Sequence, residues 1–92
     1  MKYLAKKKVE IITENTVLPA EDFGAWQALN TGTTIATVDG VPLDPNGSVV
    51  ALDFSHLHPS VVWGDPIRID FTGSGTNAVV LTRIRYSEIS EA

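Results

Sequence analysis

The most regular stretch of the chain is Ile67-Arg68-Ile69-Asp70-Phe71-Thr72, where apolar and polar residues alternate strictly. Period two is the pattern of a strand, and it sends Ile67, Ile69 and Phe71 to one face and Arg68, Asp70 and Thr72 to the other. Gly73-Ser74-Gly75-Thr76 follows, and then residues 77–86, which contain Val79, Val80, Leu81 and Ile84. Two such runs around a short Gly-containing loop predict a β-hairpin that pairs Phe71 with Ala78, Ile69 with Val80 and Ile67 with Thr82. Upstream, the β-branched run 33–38 ends at Asp39-Gly40, a dipeptide suited to the positive φ of a tight turn. Asp44-Pro45-Asn46-Gly47 marks a second turn. Between the two, Val41-Pro42-Leu43 is limited to an edge piece, because Pro42 donates no ladder hydrogen bond. Residues 48–54 and 9–13 complete the strand set, and turn signals recur every 8–12 residues or so, the spacing of a sandwich or small barrel.

Residues 20–29 admit two readings. Phe23, Trp26 and Leu29 lie at helical spacing behind Pro19 and two acids, whereas a turn over 20–23 followed by a strand leads directly into the next β run. Gly24 costs a helix about 1 kcal/mol relative to Ala, which favours the turn and strand.

Composition supports an all-β fold. Val, Ile and Thr supply 26 of the 92 residues, and the 12 Gly and Pro fall between the apolar segments. At 9.9 kDa and 43% hydrophobic, the chain is a single small antiparallel β-sandwich or barrel with short loops and a small core, without internal repeat or linker. It has no cysteine, which excludes disulfide staples and thiolate metal sites. A net charge of −4 argues against a general nucleic-acid binder. No apolar run approaches the roughly 20 residues of a membrane span, and no apolar h-region follows the basic start. The expectation is a soluble chain of a reducing compartment, with residues 1–8 as a basic N-terminal arm and 87–92 as a flexible tail.

Candidate chemistry is sparse. His56 and His58, two apart, would share one face of an extended segment and could hold a metal with Asp53 or Asp65, but Pro59 beside them reads more simply as the end of a turn. Asp44-Pro45-Asn46-Gly47 lacks the further oxygen ligands of a calcium loop, and Asn46-Gly47-Ser48 fits a glycosylation sequon that has meaning only in a secreted chain. Nucleophile elbow, Walker and dinucleotide motifs are missing, so the chain reads as a non-enzyme that needs no cofactor and no metal. Contact residues are the better expectation. Lys6, Lys7 and Lys8 form the one charge run and suit an acidic partner surface, Trp63 and Asp65 flank the turn at Gly64, and Arg83 and Arg85 line the last strand. Of the two indoles, Trp26 is expected inside and Trp63 nearer the surface, where an exposed Trp would also serve a carbohydrate-binding module.

From Thr16-Val17-Leu18-Pro19 onward the signals run in a recognisable order. They are the aromatic strand Ala25-Trp26-Gln27-Ala28-Leu29, then Asn30-Thr31-Gly32, a Thr-rich strand, a Val-rich strand, Gly64-Asp65-Pro66 before the Arg-containing alternating strand, and Gly75-Thr76-Asn77-Ala78 before the last one. This order resembles the small all-β spike-base and head-decoration virion proteins of tailed bacteriophages and gene transfer agents. The resemblance implies a structural protein located on the virion, without catalytic residues. It would act as a cyclic homo-oligomer docked to capsid, portal or fibre proteins, with no part for nucleic acid or membrane.

Overall fold

The computed structural model describes residues 2–53, 57–58 and 61–89, and among these there is no helix. Eight strands occur in chain order: β1 (Lys2–Ile12), β2 (Thr16–Leu18), β3 (Ala25–Asn30), β4 (Ile35–Val38), β5 (Val41–Leu43), β6 (Val49–Asp53), β7 (Ile67–Thr72) and β8 (Val79–Ile89). They form two antiparallel four-stranded sheets, β1-β8-β3-β6 and β2-β7-β4-β5, packed face to face as a sandwich that does not close into a barrel. Trp26, Ala28, Val79 and Leu81 of the first sheet meet Ala36, Val38, Leu43, Ile67 and Ile69 of the second. Each large aliphatic side chain buried there contributes about 1.5–3 kcal/mol. Ala28 and Ala36, both fully buried, leave room for their larger neighbours to interdigitate.

The turn chemistry expected from the sequence is present. Asp39 (φ 50°) and Gly40 (φ 83°) make the two-residue link of the β4–β5 hairpin, in which Val38 faces Val41. Pro42 lies on β5, an edge strand. Residues 20–29 resolve as turn and strand: the Phe23 amide donates to the Glu21 carbonyl at 2.8 Å, a three-residue turn, and β3 begins two residues later. Strand β2, which pairs Thr16, Val17 and Leu18 with Ile69, Arg68 and Ile67, was not evident from the pattern.

Three expectations are corrected. The segments 67–72 and 77–86 do not form a hairpin, for β7 pairs with β2 and β4 whereas β8 pairs with β1 and β3. Alternation assigns side chains to a face but does not choose the neighbouring strand. Ile67 and Ile69 look across the core at Val79 and Leu81 rather than lying beside Val80 and Thr82. Residues 2–8 are not a separate arm, since they extend β1 as far as a pairing of Lys2 with Ile89. For the same reason residues 87–89 are the end of β8 and not a tail.

The crossing from β7 to β8 is anchored to another sheet crossing, that from β3 to β4. Thr33 N donates to Thr76 O (2.8 Å), Thr76 N to Thr33 Oγ1 (2.9 Å), Thr34 Oγ1 to Asn77 Oδ1 (2.6 Å), and Thr31 N and Gly32 N to Ala78 O (3.0 and 3.1 Å). Behind this seam lies Asn30, fully buried. Its Nδ2 donates to Thr34 O (2.8 Å) and Leu43 O (3.0 Å), and its Oδ1 accepts from Gly32 N (3.1 Å). A Cβ at Gly32 would stand 2.3 Å from Thr76 O and 2.7 Å from Ala78 N, so the close approach requires glycine. Asn30→Leu strands three backbone groups and is expected to cost about 3 kcal/mol in urea unfolding. Gly32→Ala should cost about 2 kcal/mol or more. Gly73→Ala, where nothing lies within 4 Å and φ is 87°, should cost only about 1 kcal/mol of backbone strain.

Candidate interaction surface

Six of the seven cations of this acidic chain lie on β1 and β8: Lys2, Lys6, Lys7, Lys8, Arg83 and Arg85. β3 accompanies β8 only from Val79 to Ile84, so from Lys6 and Arg85 outward the pair continues as a two-stranded ribbon, part of a molecule 54 Å long and 19 Å across. The seven contact residues expected from the sequence gather at its base. Lys6, Lys7, Lys8 and Arg85 line a crevice with Glu21 and Phe23. Trp63, Asp65 and Arg83 line a small adjoining hollow, which shares Glu21 and Phe23 and adds Pro19 and Trp26.

An ion cluster sits between the two. Glu10 is opposite Leu81 on β1, which places it on the core side next to Arg83. The Arg83 side chain, 5% exposed, donates Nη2 to Glu10 Oε1 and lies with Nη1 2.8 Å from Glu21 Oε2. Lys8 Nζ stands 3.6 Å from each carboxylate. Two acids and two bases therefore balance where the sandwich opens. The buried Phe23 ring lies under both guanidiniums, 4.8 Å from that of Arg83 and 5.1 Å from that of Arg85, and Arg85 Nε also donates to Asp22 O. Burial pushes the Glu10 carboxyl up, but the hydrogen bond and charge of Arg83, with Lys8, outweigh it and hold its pKa below the ordinary carboxylate value.

Arg83 is thus consumed inside the domain, while Lys6, Lys7 and Arg85 remain exposed. Trp26 is buried, and Trp63 packs edge-to-face on it with ring centroids 5.9 Å apart, so Trp26 offers no stacking platform and Trp63 is half-buried. His58 meets the Tyr3 ring edge-on at 6.0 Å, whereas its expected companion His56 lies outside the described residues. Among the described residues no group of three His, Asp or Glu side chains gathers to hold a metal.

Glu10, Glu21 and Phe23 were missed, because ion partners and rings brought from separate strands leave no local pattern. A second feature was missed that does carry a signal. The outer face of the β1-β8-β3-β6 sheet is apolar: Ile11, Val80, Leu29 and Val49 form one unbroken row across all four strands. Val9, Thr82, Gln27 and Ala51 form the next row, and Lys7, Ile84, Ala25 and Asp53 the third. Ile11 is 68% exposed, Val9 51% and Val49 49%. The runs Val79-Val80-Leu81 and Val49-Val50-Ala51-Leu52 are apolar at both parities, the mark of a strand with something on each side.

Comparison with protein-family models, with curated proteins and with solved structures gives no match.

The ion cluster fixes a pH dependence. A folded-state pKa below the unfolded one adds stability that is fully present above the unfolded value and is lost as pH falls through the folded one. Glu10→Gln should therefore cost about 1–2 kcal/mol at neutral pH, and its unfolding curve should converge with that of the parent chain as pH falls below about 4. Arg83→Met, which leaves two carboxylates facing each other with only Lys8 between them, should cost about 2–3 kcal/mol near pH 7.

Proposed function

We propose that this chain is a structural virion protein, a capsid-decoration or spike/fibre-base module that works by oligomerising and docking to other particle proteins, without chemistry of its own. The observation that carries this reading is the β1–β8 strand pair, which holds six of the seven cations of a chain of charge −4 and runs on past the sheet as a two-stranded ribbon carrying Lys2, Lys6 and Arg85. An isolated two-stranded ribbon is marginal in water, so a ribbon of this length is best supported by a neighbour lying against it. The outer edge of β1 carries no further strand among the described residues, and its Lys run attracts acidic surfaces while discouraging self-pairing at that edge. The order of turn and strand signals that resembles spike-base and decoration proteins supplies the particle. The capsid, portal or fibre protein it meets would present an acidic groove or an acidic edge strand to Lys6, Lys7 and Arg85.

Quantitative mass spectrometry of density-purified particles from the producing cells should find the chain at a fixed copy number per capsid. Its presence in the lysate but not on particles would overturn the reading. Particles assembled without the chain should rebind it in a salt-sensitive manner, and Lys6→Glu with Lys7→Glu should weaken that rebinding by roughly tenfold or more.

A further inference from the structure

Along the core-side face of the β1–β8 ladder, cations stand opposite cations. The register sets Lys8 beside Arg83 and Lys6 beside Arg85, two successive like-charge pairs. Like charges directly opposite in an antiparallel pair repel, and an anion placed against both relieves them. The inner pair has two such anions, for Glu10 and Glu21 each lie against both Arg83 and Lys8. The outer pair has none: among the described residues no carboxylate pairs with Lys6 or Arg85.

Arg85 is nevertheless held in place. Its guanidinium lies over the buried Phe23 ring, 5.1 Å from the centroid, and its Nε–H donates to the Asp22 carbonyl at 3.3 Å. These contacts occupy the face of the guanidinium and its Nε–H, and leave the Nη donors to the crevice that Lys6, Glu21 and Phe23 also line. The crevice has a volume of about 210 Å³. That is below the roughly 300–1,000 Å³ of sites for drug-sized ligands and suits a single side chain.

We propose that this crevice takes the carboxylate of one aspartate or glutamate side chain of a partner protein, bound between the Arg85 fork and the Lys6 ammonium with Phe23 as its floor. This rests on the docking reading above and names the group that the partner inserts. The incoming carboxylate does for Lys6 and Arg85 what Glu10 and Glu21 do for Lys8 and Arg83. It sets negative charge between two opposed cations, and its two oxygens match the planar guanidinium.

The surrounding charges decide which anion fits. Glu21 forms part of the wall, its side chain 35% exposed. A singly charged carboxylate balances Lys6 and Arg85 without crowding it. A phosphodiester backbone would instead lay a run of negative charge along a chain whose own charge is −4. A lone exposed ion pair contributes little in water, so the site gains strength when the partner's surface excludes water from the crevice. The Arg85 fork is already immobilised, which lowers the ordering cost of that step.

NMR titration of the intact chain with an acetylated triglutamate peptide should shift the Arg85 Nε–H and Phe23 ring resonances. The Kd should be about 1 mM or weaker and rise with salt, and the triglutamine counterpart should shift neither resonance. Arg85→Gln and Lys6→Gln should each weaken binding by roughly fivefold to tenfold. Lys6→Gln should leave the melting temperature unchanged or higher, because it removes one member of a like-charge pair. Lys7→Gln, at a position that alternation places on the opposite face of β1, should cost less than about twofold. A loss from Lys7→Gln equal to that from Lys6→Gln, no shift at Arg85, an equal response to triglutamine, or tighter binding of inorganic phosphate than of the peptide would each overturn the proposal. Arg85→Gln should also lower particle rebinding by a similar factor. Rebinding indifferent to Arg85→Gln would overturn the proposal and leave the virion reading standing. Peptide binding at Arg85 in a chain that never enters particles would keep the carboxylate site and remove the virion assignment.

Discussion

A sandwich must carry its chain from one sheet to the other, and every crossing exposes backbone polar groups at the rim of the core. Here two crossings, 31–34 and 73–78, satisfy one another, and the fully buried Asn30 completes the seam by binding Thr34 O, Leu43 O and Gly32 N. The arrangement works because Gly32 has no side chain: its Cα sits where a Cβ would strike Thr76. Once the seam is fixed, β3 and β8 are adjacent in one sheet and β4 and β7 in the other, and the facing of Trp26, Ala28, Val79 and Leu81 against Val38, Ile67 and Ile69 follows. The apolar core supplies most of the driving force, and the buried amide with its seam selects one topology among those the pattern permits.

That division explains what could be read in advance. Asp39-Gly40, Pro42 and the alternation of 67–72 act locally, so turn, edge and face are legible in the residues themselves. Partner choice is not local. The four residues Gly73-Ser74-Gly75-Thr76 look the same whether they close a hairpin or cross between sheets, and only contacts with Thr33 and Thr34, about 40 residues away, decide. The Lys run reads as an arm for a similar reason: charge argues for solvent, but β1 is the edge strand of its sheet and keeps one edge in solvent, so its residues need not be apolar. At the candidate surface, all seven expected residues fall around Glu21 and Phe23, and what the sequence withheld was their division into Arg83, locked between two acids, and Lys6, Lys7 and Arg85, turned to solvent.

Chemistry and shape are separated along the molecule. At the base of the ribbon the charges are balanced and partly buried, where Lys8, Glu10, Glu21 and Arg83 join β1, β8 and the 19–24 loop into one unit. Beyond it the ribbon is basic, and behind it the exterior of one sheet is apolar. A small domain buries a smaller share of its surface than a large one, so a 92-residue sandwich has a thin reserve of core.

The pairing of β1 with β8 also governs how the chain reaches this state. Among the described residues, strands separated by most of the sequence form the longest ladder, and the only tight two-residue link is that between β4 and β5. High average sequence separation between contacting residues belongs to domains that fold in milliseconds to seconds rather than microseconds. Until β8 arrives, β1 has no strand beside it, and its Val9, Ile11 and Ile12 are open to any extended chain nearby. The three consecutive lysines just ahead of them then act as gatekeepers of the nascent strand, holding it soluble during the interval in which its proper neighbour is still missing.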